Sequence, residues 1–466
     1  MRLHDIQKKN YKIYILFLPF VMSFSVYFSV ISELLGALGK NFSVIPHMIG
    51  ILIILYEAFK ERKIQTNKII NILFLFILYL NFSSIMSAMY RSETLGVLYG
   101  ESTYGAIKGM LIYYTVVFLI FYYNFLMLSK FTLKELNRTM KFILNLILLI
   151  GYLQITTLKI PSVGKLLDFI DVFDVLRNSE FLLVMDRITL SGSEPATISL
   201  IMNVLLMPYI LSKILIGEEK LLNTIKFLLC IPILFFSRSS SVYIMTILNL
   251  TIFLYLYYKP FSKQNLSTRK ILFNVSIATI LTLILLVTVN LNTSLANNEM
   301  VQKINYLTFE KISDDNNQST LTRTSTVIND LKISLKYPLF GIGNGMQGYF
   351  YNEHIESEYF YSQEVIDLYN GKSGIVNGGP FLPAFVSGYG LIGLLFLIII
   401  MRQFFNLAKK RKNELSSYYY MFIISTLTFF IGGIMTADIV SNYIAIFCMS
   451  LPFLKINANN IKDVGI

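Results

Sequence analysis

Runs of about twenty apolar residues, separated by short basic or turn-forming connections, recur through most of this chain. Each is long enough for a helix to cross a hydrocarbon layer about 30 Å thick. They fall at 12–33, 43–58, 68–90, 106–128, 142–160, 195–216, 222–237, 240–258, 271–291, 381–402, 417–436 and 439–455. The pattern predicts an all-α integral membrane protein of about twelve transmembrane helices, with residues 1–466 forming a single polytopic domain. One interval breaks the rhythm: residues 292–380 are the only long polar stretch, too long for a plain connector and carrying a helical pattern of its own. It reads as one long extracytoplasmic loop with amphipathic helices.

Composition agrees, since 55% of the residues are hydrophobic and only 15% charged. Mean hydropathy of +0.59 lies far outside the range of soluble globular chains. The net charge of +12 does not point to nucleic acid, because the cations cluster at the ends of apolar runs. Lys8, Lys9 and Lys12; Lys60, Arg62, Lys63 and Lys68; Lys130, Lys134, Arg138 and Lys141; Lys259, Lys263, Arg269 and Lys270; and Lys409 to Lys412 fall on alternate connections. That alternation makes their face cytoplasmic and puts both termini there. The first apolar run is too long for a cleaved leader and no small-residue cleavage site follows, so it is expected to stay as a span. Cys230 and Cys448 both lie in apolar runs and read as packing residues.

Within the loop, Leu321, Val327, Ile328, Leu331 and Leu335 approximate a helical stripe, with Ser325, Asn329, Asp330, Lys332 and Lys336 on the other face. Such a helix is expected to lie along the membrane surface. Arg323 stands near its head, Pro338 stops it, and Gly341, Gly343, Gly345 and Gly348 follow, so a cation is carried next to backbone able to approach a ligand closely. Residues 349–377 are rich in tyrosine and acids, as an interfacial or saccharide-contacting surface would be. Asp314 and Asp315, followed by Asn316 and Asn317, read as a polar turn, and no metal or cofactor is expected.

Four arginines, Arg91, Arg187, Arg238 and Arg323, are expected on the outer side, where topology disfavours cations. Each alone could snorkel or hold an ion-pair partner. Together they suit an anionic lipid headgroup, because a guanidinium stays charged and can bond two phosphate oxygens at once.

The run from Arg323 through Pro338 to Gly341 and Gly343 resembles the signature of the O-antigen ligase and polymerase superfamily: an Arg-headed helix ending in a Pro-Leu-x-Gly-x-Gly turn. RITLSGSEP at 187–195, FFSRSSS around Arg238 and GYGLIGLL at 388–395 are similar to further elements of that family, in the same order. The likeness covers 185–400, and the first five spans share only hydropathy. It implies a membrane glycosyltransferase that polymerises undecaprenyl-pyrophosphate-linked oligosaccharide repeat units into O-antigen or capsular polysaccharide outside the cytoplasmic membrane. Donor and acceptor are both lipid-linked, the bilayer is a partner, and a chain-length regulator protein is expected beside it. Arg187, Arg238, Arg323, Gly341, Gly343 and Asn377 are the implied substrate contacts, with His354 and Glu194 as competing bases. Asn377, Gly378 and Gly379 stand where the family's ligases carry a His-Asn pair. A ligase moving polymer to lipid A core is therefore the second reading. A flippase ranks third, because charges avoid the span centres.

The charge alternation predicts a definite topology. A reporter active only in the cytoplasm should be silent when fused at Asn316 and active at Lys410. Activity from the Asn316 fusion would overturn the assignment of 292–380 to the outer side.

Overall fold

A computed structural model describes residues 3–21, 41–95, 103–165, 168, 182–184, 186–192, 197–258, 318–343, 347, 363, 365–366, 380–433 and 443–455. Among these the chain is all-α, with no strand beyond an isolated bridge between Val21 and Asn41. The elements are α1 (Leu3–Phe17), α2 (Val44–Glu61), α3 (Lys68–Leu95), α4 (Thr103–Leu128) and α5 (Leu133–Lys159). A π-helix (Ser199–Leu206) then runs into α6 (Met207–Ile216), followed by α7 (Lys220–Phe236) and α8 (Ser240–Tyr258). In the polar stretch lies α9 (Gln318–Lys336), followed by α10 (Phe381–Lys410), α11 (Lys412–Leu415), α12 (Ser417–Gly432) and α13 (Tyr443–Ser450). Six of the described helices are long and apolar enough to cross a membrane.

Apolar runs become helices here because the backbone has no other partner in lipid, and their ends follow local chemistry. Thr132 and Glu135 form a reciprocal capping box that starts α5 at Leu133, a full two turns before the expected 142. α6 stops at Gly217, which takes φ +76°, a left-handed conformation that costs glycine nothing. α1 ends at Phe17, ahead of Pro19. Of the first expected span, 12–33, the described residues are helical to Phe17; residues 22–40 lie outside the described set, as does the expected span 271–291.

α1 packs on α2 and α3 on α4, while α12 sits between α6 and α8, and α10 lies against α3. Large apolar side chains such as Leu52, Phe59, Leu75, Leu149, Leu221 and Leu395 face outward, as lipid contact requires. Polar groups do the joining inside. Asn249 donates to the Asn203 carbonyl at 2.8 Å, Thr246 donates to Asn203 Oδ1 at 3.0 Å, and Thr428 donates to Asn249 Oδ1 at 2.9 Å. This chain of bonds ties the π-helix, α8 and α12 where hydrophobicity alone gives helices no reason to associate. Both cysteines are buried, as the sequence suggests.

The segment 186–192 is irregular yet buried from Ile188 to Gly192, so its backbone groups need partners from elsewhere. Gln154 of α5 supplies them. Its Nε2 donates to the Leu190 carbonyl at 2.9 Å, and its Oε1 accepts from the Leu190 amide at 2.8 Å and the Thr189 amide at 3.3 Å. Ser191 extends the attachment, donating to the Pro19 carbonyl at 2.6 Å and accepting the Val21 amide through its own carbonyl at 2.8 Å. The clamp also holds Leu190 at φ +56°, which a non-glycine residue adopts only under constraint.

Replacing Gln154 by Leu should therefore strand several buried backbone groups, each worth about 1–3 kcal/mol. The expected result is a lower melting midpoint in detergent and faster protease cutting within 186–192. Unchanged melting and cutting would remove Gln154 as the clamp.

Candidate functional site

The Pro-Leu-Phe-Gly-Ile-Gly turn does not hang free at the end of α9; it is built into α10. At Gly390 the α10 backbone leaves helical geometry, with φ +62° and ψ −166°, which separates a short N-terminal piece from residues 391–410. The turn fills that break. Ile342 and Gly343 donate their amides to the Ser387 and Gly388 carbonyls at 2.9 and 2.8 Å. In return, Leu391 and Ile392 donate theirs to the Pro338 and Leu339 carbonyls at 2.8 and 3.2 Å. Four groups that the interrupted helix would otherwise leave unmet are thereby satisfied.

Only glycine permits the approach. A Cβ on Gly341 would sit 2.4 Å from the Gly388 carbonyl carbon, and one on Gly390 would sit 2.3 Å from the Leu339 oxygen. Both residues are also left-handed, at φ +67° and +62°. The close approach predicted for Gly341 and Gly343 is thus made to the protein's own backbone, and Gly343 further packs on Ser87 of α3. Ser87 donates to the Ile342 carbonyl, and Tyr79 donates to the Tyr389 carbonyl at 3.0 Å, so α3 backs the joint. The buried Tyr389 hydroxyl is bonded to Tyr114 and lies 3.2 Å from Ser84 Oγ.

α9 turns its polar stripe inward. Thr322, Ser325, Thr326, Asn329, Asp330 and Ile333 are buried, whereas Leu331 and Leu335 of the supposed membrane-facing stripe are exposed. The polar stripe packs toward α10, and Ile328 and Leu321 meet Val365 in a small apolar cluster of their own. Polar side chains repeating every three to four residues hold this helix to its neighbour, the usual membrane arrangement.

Asp330 is the centre of that face. Ser387 Oγ lies 2.7 Å from Asp330 Oδ1, 3.0 Å from the Ala384 carbonyl and 3.2 Å from Gln347 Nε2. Gln347 Nε2 also donates to the Ala384 carbonyl at 3.1 Å, and Asn329 donates to the Gln347 carbonyl at 3.2 Å. Burial pushes the Asp330 carboxyl up from 3.8 to about 7, against the Ser387 hydrogen bond that pulls it down. Ser387 has one proton and two acceptors. When Asp330 is ionised it takes that proton; when Asp330 is neutral it can donate to Ser387, which then turns to Ala384. The network therefore accommodates both protonation states. Among the described residues, Asn329 Oδ1 and Gln347 Oε1 are buried acceptors without a donor.

The arginines divide. Arg323 is exposed on α9, seven residues before Asp330, hence on the same helix face and about 10.5 Å away along the axis. Arg238, at φ +47° between α7 and α8, is ion-paired with Asp186, and the Ile188 amide donates to the Phe236 carbonyl at 3.1 Å. That pair brings Arg238 next to the half-buried Arg187. His354, Glu194 and Asn377 lie outside the described residues, as do Asp314 and Asp315. Arg91 is in α3.

Sequence reasoning missed Asp330, Asp186, Ser387 and Gln347 as site residues. For Asp330 the signal was present: Thr322, Ser325, Thr326, Asn329 and Asp330 form a stripe as regular as the apolar one. Among the described residues no cluster of His, Cys, Asp and Glu has the makings of a metal site. A scan against models of known protein families finds no match to this chain, and a search of curated proteins finds no similar one.

Because the folded protein holds the Asp330 proton more tightly than the unfolded chain, its stability should fall as pH rises from about 4 through about 7. Asp330→Asn removes that loss. Relative to the parent, the variant should melt higher at pH 8 and gain much less at pH 5. An equal difference at both pH values would refute the buried, proton-retaining carboxyl.

Proposed function

We propose that this chain is a membrane glycosyltransferase that polymerises undecaprenyl-pyrophosphate-linked oligosaccharide repeat units into O-antigen or capsular polysaccharide outside the bacterial cytoplasmic membrane. The observation that carries the reading is one helix, α9, presenting an exposed guanidinium and, two turns on, a buried carboxyl that titrates near neutrality. The likeness of the Arg323–Gly343 run to the O-antigen ligase and polymerase superfamily supports the same chemistry.

In this proposal the carrier pyrophosphate of the donor sits against Arg323, with Arg187 and Arg238 as further cations. A hydroxyl oxygen of the acceptor unit bonds to the donor's anomeric carbon. The bond from that carbon to the pyrophosphate oxygen breaks, and its electron pair leaves with the lipid carrier. Preorganised guanidinium donors stabilise the charge that grows on the leaving group. The hydroxyl proton passes to a base. Asp330 suits that task, since a base titrating near the working pH is deprotonated often enough and basic enough to help. His354 and Glu194 compete with it. A ligase would use the same steps with a different acceptor.

A transporter draws support from the broken α10, since interrupted helices build many carrier sites. In this chain the break is occupied by residues 338–343. That favours a rigid joint over an ion or substrate seat.

Purified protein supplied with lipid-linked repeat units should make long chains. Arg323→Ala should slow elongation about a hundredfold or more, and Arg323→Lys should recover little, because lysine keeps the charge and loses the fork. Asp330→Asn should cost on the order of a hundredfold and abolish the rise in rate as pH passes about 7. If Asp330→Asn is normal while His354→Ala or Glu194→Ala is inactive, the base is reassigned. Units crossing the membrane without elongation would replace the polymerase reading with transport.

A further inference from the structure

A second charged site lies on the opposite, basic face of the chain, away from the α9–α10 joint. The first turns of α1 and α5 enclose a cavity of about 410 Å³ whose rim carries Lys8, Lys9, Lys12, Lys134 and Arg138. Glu135 is the one carboxylate in its lining, and it is already committed. It accepts from the Thr132 amide at 2.9 Å and the Thr132 hydroxyl at 2.8 Å to cap α5, and pairs with Lys8 at 3.3 Å. Lys9, Lys12, Lys134 and Arg138 have no carboxylate partner among the described residues. Lys8 and Lys12, like Lys134 and Arg138, are like-charge neighbours four residues apart, a spacing that costs helices stability unless an anion lies between them.

We propose that this cavity binds the phosphodiester headgroup of an anionic phospholipid from the leaflet on the basic face. Charge fixes the chemistry, since four uncompensated cations converge from two helices on a hollow large enough for a phosphate and its glycerol. The surroundings select a lipid rather than a free phosphate. Ile13, one turn on from Lys9, is exposed, and so are Phe142, one turn on from Arg138, and Leu149, seven residues further along α5. These side chains make an apolar track leading from the cavity along a helix long and apolar enough to cross the membrane. Acyl chains would follow that track while the headgroup stays among the cations. Basic pockets between helices on the cytoplasmic side are a recurrent way of holding such lipids.

The test is native mass spectrometry of the full-length protein in detergent, titrated separately with phosphatidylglycerol, phosphatidylcholine and inorganic phosphate. Phosphatidylglycerol should bind at least tenfold more tightly than phosphatidylcholine. Each cation near such a headgroup is worth about fivefold in affinity, so the triple variant Lys9→Gln, Lys12→Gln, Arg138→Gln should lose roughly a hundredfold. A control triple removing the same charge from the same face, Lys60→Gln, Lys409→Gln, Lys410→Gln, should bind as the parent does. Melting in lipid-free detergent checks that both variants are folded, and Arg138→Gln alone, losing about fivefold, serves if the first triple is not. Equal loss in the two triples would mean diffuse attraction and overturn the site. Inorganic phosphate competing at equal affinity would overturn the lipid assignment, and so would phosphatidylcholine binding as tightly as phosphatidylglycerol.

Discussion

The packing of α9, α10 and α3 depends on one backbone-to-backbone joint, the seating of residues 338–343 in the break of α10 at Gly390. A helix interrupted inside a membrane protein exposes amides and carbonyls that lipid cannot satisfy, each at a cost of several kcal/mol. The partner must therefore be protein, held at hydrogen-bond distance along a stretch of chain. Four amide-to-carbonyl bonds between 338–343 and 387–392 meet that requirement, and the glycines at 341 and 390 allow the two backbones to touch. Neither segment makes sense alone. Without the turn, α10 has an unsatisfied gap; without the gap, α9 has no fixed end.

Fixing the end of α9 fixes its rotation, and rotation decides which residues meet. With Pro338 anchored, the stripe from Thr322 to Asp330 faces the interior, and Ser387, one turn before the break, comes within 2.7 Å of Asp330. The carboxyl is then buried among neutral polar groups, which solvate it less well than water does and hold its proton to near neutrality. Arg323 is left on the exposed part of the same helix. A cation and a titratable acid are thus set at a constant separation by a rigid element rather than by a loop, which is the condition for electrostatic stabilisation to be preorganised.

Helix positions were legible because lipid leaves an apolar run one conformation, and ten of the twelve expected spans, all but 12–33 and 271–291, are helical through most of their described residues. What the sequence hid was the facing of α9. Leu331 and Leu335 point outward, as a stripe along the membrane surface would, while the serines, threonines and asparagine point in and make the packed face. Water rewards burying leucine; lipid does not, so packing falls to small and polar residues instead. The glycines of 341–343 were recognisable as a place of close approach, but pairing with Gly388–Gly390 connects segments more than forty residues apart, which local pattern does not encode.

The cost of the arrangement falls on residues held in unusual conformations, and their distribution is informative. Of the six left-handed non-glycine residues described, Arg62, Glu219 and Ser416 sit singly at helix ends, whereas Asp186, Leu190 and Arg238 belong to one layer formed by segment 186–192 and the α7–α8 turn. Such geometry persists only where surrounding bonds over-determine it, here through Gln154 and the Asp186–Arg238 pair. Two assemblies, one around the Gly390 break and one around Arg187 and Arg238, are therefore each braced to a long apolar helix, α3 for the first and α5 for the second. Bracing of this kind keeps the Arg238 guanidinium in a fixed place, and a donor that need not reorganise keeps its full effect on any negative charge brought to it.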